Sequence, residues 1–244
     1  MNNIMFSFII TTIAGLSTLI GMFPCFLKIK NTNKIICICL AFAAGVMASV
    51  SMFSLSKEAY HLLNITYRNT PTIILITIYI LIGVFIASVI DKLFRNIDNK
   101  LYKIGLINAL ALMIHNIPEG ILTFSTTTTN ISLGITLAIT IILHNIPEGI
   151  SISVPIFYAT KSRKKALLYT AISGFSEIFG ALITYLFLSQ YINNNFIGIT
   201  LSLTTGIMSY IAFFELLPNS FEYEYKKHTI ISFIIGFIFM FFFK

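Results

Sequence analysis

The chain has 244 residues, 57% of them hydrophobic and 10% charged, with a mean hydropathy of +0.89. Soluble domains carry about 25% charged residues, so this chain has too few to coat a water-facing surface. That excludes a soluble enzyme, a disordered regulator and a nucleic-acid-binding domain, and it leaves the net charge of +7 to be explained by topology.

A helix needs about 20 mostly apolar residues to cross the hydrocarbon core. Eight stretches meet or approach that length: 4–27, 35–56, 72–90, 101–125, 132–157, 166–189, 196–217 and 229–243. They predict an all-α polytopic membrane protein, one transmembrane domain over residues 1–244. The first stretch lacks a basic leader and a small-residue cleavage site, so it reads as a retained span rather than a secretory signal. The last is short. Cys25, Cys37 and Cys39 lie near one membrane face and give no disulfide framework.

Thirteen of the 16 Lys and Arg fall in the loops after stretches 1, 3, 5 and 7: Lys28, Lys30, Lys34, Lys92, Arg95, Lys100, Lys103, Lys161, Arg163, Lys164, Lys165, Lys226 and Lys227. Cytoplasmic loops carry the excess of Lys and Arg. Eight crossings with both termini outside a cell membrane follow, and the lipid bilayer is the implied surrounding. All loops are short, so function must lie within the bundle.

Two similarities recur inside the chain. His115-Asn116-Ile117-Pro118-Glu119-Gly120 returns as His144-Asn145-Ile146-Pro147-Glu148-Gly149, in the next helix of opposite direction. More weakly, Gly45-Val46-Met47 with Leu55 matches Gly206-Ile207-Met208 with Leu216. These helices also run in opposite directions, as in the inverted repeats of transporters.

Four carboxylates, Glu119, Glu148, Glu177 and Glu215, lie within the apolar stretches, and no Lys or Arg does. A charge near the bilayer centre costs roughly 3 kcal/mol on insertion scales. Three mid-depth glutamates, Glu119, Glu148 and Glu177, would thus cost on the order of 9 kcal/mol unpaired. Protons or a metal cation must neutralise them.

Spacing favours metal. His115 and Glu119 are i and i+4 on one helix face, with Asn116 beside them, and His144, Asn145 and Glu148 repeat the pattern. Glu177 adds a third carboxylate. Imidazole with carboxylate suits Zn²⁺ and other borderline ions such as Fe²⁺ and Mn²⁺. One bridging carboxylate would allow two ions. Pro118 and Pro147 remove hydrogen bonds to the Ile114 and Leu143 carbonyls, which predicts kinks where the backbone lines a cavity. Against this stands the plainer reading of kinked helices with protonated glutamates, which the duplication disfavours. Met47 either packs or offers a weak soft ligand, and Ser51 one turn on is similar. Glu215 either snorkels or lines an exit. His61 and His228 read as solvated.

These residues resemble the ZIP (Zrt/Irt-like) divalent metal transporters, in particular the bacterial ZupT/GufA-type branch. The paired His-Asn-x-Pro-Glu-Gly motifs carry the resemblance. Ala41–Met47 in the second stretch and Ser173–Glu177 in the sixth support it. The resemblance implies import of Zn²⁺, and also Fe²⁺, Mn²⁺, Co²⁺ or Cd²⁺, with no prosthetic group and no enzymatic activity. It implies a 3+2+3 inverted bundle, often a homodimer, whose central site maps to His115, Asn116, Glu119, His144, Asn145 and Glu148. Glu177 maps to a second metal position and Met47 to a position near the first. Two departures stand out: the segment Asp91–Lys103 is short and lacks His, and Glu215–Asn219 keeps only part of the usual Glu-Leu-x-Pro-Glu pattern. The rival from another class is a membrane-embedded metal-dependent hydrolase. It lacks the His-Glu-x-x-His spacing and a nucleophile beside the motifs.

Overall fold

The computed structural model describes residues 3–28, 30–188 and 191–243, and all its regular elements are helical. They are α1 Asn3–Phe26, α2 Thr32–Tyr67, α3 Thr70–Leu93, α4 Lys100–Thr129, α5 Ile131–Thr160, α6 Arg163–Phe187, α7 Asn194–Phe221 and α8 Lys226–Phe239. Among the described residues, α1 to α7 are long and apolar enough to cross a membrane. The segment expected at 229–243 is a 14-residue α-helix continued by the 3-10 turn Met240–Phe243. Its length alone does not carry an eighth crossing. Ser189, the expected end of the sixth stretch, lies outside the described residues.

Most helices begin where a short polar side chain can cap them. Asn31, Asn99, Asn130, Ser162 and Asn193 each accept a hydrogen bond from the backbone N–H three residues on, which satisfies one of the free donors of the first turn. Several helices outrun their apolar stretches. The expected turn at Thr126–Asn130 shrinks to Asn130 alone, because Thr127, Thr128 and Thr129 donate their hydroxyls to carbonyls four residues back. A polar run so satisfied need not end a helix. Asn130 donates its N–H to the Thr126 carbonyl at 2.8 Å and accepts from Gly134 at 2.9 Å.

The helices pack as two groups of four. In the first, α4 lies on α5 and α6, and α1 fills the angle between all three; in the second, α2 packs on α8 and α3 on α7. The groups meet chiefly where α2 lies on α5 and α7 on α4. Glycines set the closest approaches. A Cβ at Gly45 would overlap the Phe233 carbonyl oxygen, and one at Gly236 the Phe42 carbonyl oxygen. At Gly206 and Gly83 the obstacles are the Ile80 and Leu203 carbonyl oxygens. In every case the blocking residue lies three before the partner glycine, so the α2–α8 and α7–α3 contacts use one pattern. The weaker sequence similarity has a further counterpart here. The π-helical segments Val50–Leu55 and Ile211–Leu216 each begin five residues after Gly45 or Gly206 and end on the matching leucine.

Small residues at such crossings let backbones approach closely in a membrane, where dispersion packing replaces the hydrophobic drive. Gly45→Val and Gly206→Val are each expected to cost about 1–3 kcal/mol by overpacking. A fall in the thermal unfolding midpoint of the detergent-solubilised protein checks this, and an unchanged midpoint contradicts the packing.

Candidate metal centre

The duplicated motif sits in the middle of α4 and α5, each 30 residues long. Both helices run without interruption through Pro118 and Pro147, so the expected kinks fall within continuous helices. Because the two neighbours are antiparallel, each imidazole faces the other helix's carboxylate. His115 Nε2 lies 3.1 Å from Glu148 Oε1, and His144 Nε2 lies 2.9 Å from Glu119 Oε1. The i, i+4 pair His115 and Glu119 is also close, at 3.5 Å. The sequence spacing is therefore met, but the shorter contacts run between helices.

The amides are held by the flanking helices. Asn116 Nδ2 donates to the Ser173 carbonyl of α6 at 3.0 Å. Asn145 Nδ2 donates to the Ala14 carbonyl of α1 at 2.9 Å and to Glu177 Oε2 at 2.8 Å. Both donations leave the amide oxygen free to face another partner. All seven polar residues are buried. Five oxygens among them lack a hydrogen-bond donor: Glu119 Oε2, Glu148 Oε2, Glu177 Oε1, Asn116 Oδ1 and Asn145 Oδ1. Buried acceptors without donors are costly, and no Lys or Arg approaches them within the spans. His115, His144 and Glu148 offer ligand atoms all within 4.8 Å of one another. This donor set of imidazole, carboxylate and amide oxygen matches what a borderline divalent cation accepts.

Met47 is fully buried in the apolar core, the placement its packing reading requires. Ser51 is likewise buried, and its hydroxyl has no hydrogen-bond partner. Glu215 is buried near the end of α7 that carries the basic loops.

A cavity of about 450 Å³ reaches Glu119 and His144. Its wall runs to Lys57 and Glu58 on α2, Thr126 on α4 and Leu133 on α5, so it opens at the end opposite the basic loops. Thr136 and Thr140 also line it. Sequence reasoning passed over this pair, although their spacing of four from each other and from His144 on one helix face was the available signal. Asn108, two turns from His115, was also passed over; its Nδ2 donates to the Ser151 carbonyl and ties α4 to α5.

Residues 98–244 match the ZIP zinc transporter family. The chain is 38% identical over 258 residues to a zinc transporter ZupT from Chlorobium chlorochromatii (strain CaD3), covering 98% of this chain and 96% of that one. It is 38% identical over 275 residues to a zinc transporter ZupT from Clostridium perfringens (strain 13 / Type A), covering 98% and 95%. A zinc transporter ZupT from Streptococcus mutans serotype c is 38% identical over 250 residues, covering 96% and 94%.

Removing the Asn145 amide would leave the Ala14 carbonyl and Glu177 Oε2 without their donor. Asn145→Ala is expected to cost about 1–3 kcal/mol, the penalty for orphaned buried partners. Thermal unfolding in detergent without added metal measures it, separately from any effect on transport.

Proposed function

The chain belongs to the ZIP family, in its ZupT branch, and on that premise we propose that it carries Zn²⁺ into the cytoplasm by alternating access to the α4–α6 site. Members of this family are metal transporters and not enzymes, which disposes of the hydrolase reading. His115, His144, Glu119 and Glu148 bind the ion, Asn116 and Asn145 turn their amide oxygens to it, and Glu177 supplies the third carboxylate. Met47 packs behind them. Fe²⁺, Mn²⁺, Co²⁺ and Cd²⁺ are further substrates of the same donor set.

The observation that carries this reading is the buried group of five donor-free oxygens and two imidazoles at the end of the cavity. The ion enters from the cavity end, loses water to Glu119 and His144, and exchanges it for protein ligands. Orientation follows the positive-inside rule, which puts the basic loops in the cytoplasm and both termini outside. α8 makes the eighth crossing. Matched glycine contacts support a 3+2+3 inverted arrangement, and a homodimer in the cytoplasmic membrane is the assembly the family implies.

No nucleotide-binding motif is present in the sequence, so electrochemical gradients supply the driving force. A divalent ion crossing about 100 mV gains about 4.6 kcal/mol, equivalent to a concentration ratio of roughly 2,000-fold.

Glu119→Ala and Glu148→Ala should each abolish ⁶⁵Zn²⁺ uptake into proteoliposomes while the protein still inserts. Wild-type flux in both variants would remove the site from the path. Bound Zn²⁺ should also stabilise the solubilised protein, by about 2.7 kcal/mol at a hundredfold excess over Kd. A thermal unfolding series with and without Zn²⁺ reads this, and the gain should vanish in Glu148→Ala.

A further inference from the structure

The two four-helix groups face each other differently at their two ends. At the cavity end, α2 stands across a 450 Å³ space from α4 and α5. At the basic end they are tied. Lys103 in the first turn of α4 places its Nζ 2.5 Å from Asp91 Oδ1 of α3. Lys100, one turn earlier on the same helix, pairs with Glu222 just beyond α7. Both acids belong to the second group and both lysines to the first. Among the described residues these are the only ion pairs made by Lys or Arg.

Asp91 is already oriented for its partner. Tyr210 of α7 donates its hydroxyl to Asp91 Oδ2 at 3.2 Å, so the second group fixes the acid before Lys103 arrives. The pairs are also partly solvated, with side chains 22% to 57% exposed. Solvated pairs are individually weak. A fully buried pair would leave an uncompensated charge each time it opened. Weak contacts that bridge two moving bodies suit a joint that must open repeatedly.

We infer that Lys100 and Lys103 form a two-point ionic latch that holds the inner end closed while the cavity end is open, and that it parts in each transport cycle. The inference rests on the transport reading above for its role, but the latch itself can be read without transport. Any ion leaving the α4–α5 site towards the basic end passes the first turn of α4, which these pairs pin to α3 and to the α7–α8 connection. Neutralising both lysines removes the bias towards the closed inner end. The inner-open population should rise roughly 2- to 30-fold, the range expected for losing two solvated pairs.

The test uses the full chain with Cys25, Cys37 and Cys39 replaced by Ala, and spin labels at Asn96→Cys and Glu224→Cys. Double electron–electron resonance in nanodiscs then reads the distance between the α3–α4 and α7–α8 connections. Lys100→Gln with Lys103→Gln should enlarge the long-distance population. Lys103→Asp should do so more strongly, and combining it with Asp91→Lys should bring the distribution back towards that of the parent. Identical distributions in all four proteins would overturn the latch. A second arm links Lys100→Cys to Glu222→Cys with a short reducible bis-methanethiosulfonate. Linking should stop Zn²⁺ flux and dithiothreitol should restore it; linked protein that transports at the unlinked rate would also overturn the latch. Absence of flux before linking would count against the transport reading alone, leaving the distance measurement to decide the latch.

Discussion

The constraint from which the rest follows is acidic charge inside an apolar bundle with no lysine or arginine to meet it. Glu119, Glu148 and Glu177 are buried at mid-span, where each ionised carboxylate is expensive. The chain answers with geometry. Antiparallel packing of α4 and α5 sets each imidazole against the opposite glutamate, and α1 and α6 take up the amide N–H groups through backbone carbonyls. Both site amide N–H groups and both imidazole Nε2 atoms are thereby engaged with protein partners, while five carboxylate and amide oxygens are left over. The polarity of that remainder selects a cation.

The same economy shapes the packing around the site. Gly120 lies against the carbonyl of Glu177 and Gly149 against that of Thr18, so α6 and α1 approach the two motif copies in matching ways. Gly15 and Gly174 then press on each other's carbonyls at 2.5 Å from their would-be Cβ atoms. Thr18 thus occupies the place on the α1 side that Glu177 occupies on the α6 side. The frame is paired but its charge is not, since a hydroxyl on one side faces a carboxylate on the other.

Much of this was legible in the residues. Rare letters repeated at one spacing marked His115 to Gly120 and His144 to Gly149, and glutamates without basic neighbours marked the depth of the site. Apolar run length located the seven long helices to within a few residues, except where polar turns continue them. It could not register Ser56–Tyr67 at the end of α2, because those residues satisfy a helix without meeting a hydropathy threshold. The crosswise His–Glu contacts depend on the register of α4 against α5, which no local pattern encodes. The π segments and the Lys103–Asp91 pair were hidden for a similar reason, since they arise from how separate helices meet. The inner lysines read from sequence only as topological charge, and their partners appear once the ends of α3, α4 and α7 converge.

One residue, Asn130, is all that separates α4 from α5. It caps α5 with its side chain, bonds back to Thr126 through its own N–H, and accepts from Gly134, while Gly134 leaves no room beside Thr127. A hairpin stitched this tightly cannot let one arm slip along the other. The one-residue connection therefore fixes the register of the two motif copies, and with it the setting of each imidazole against the opposite glutamate.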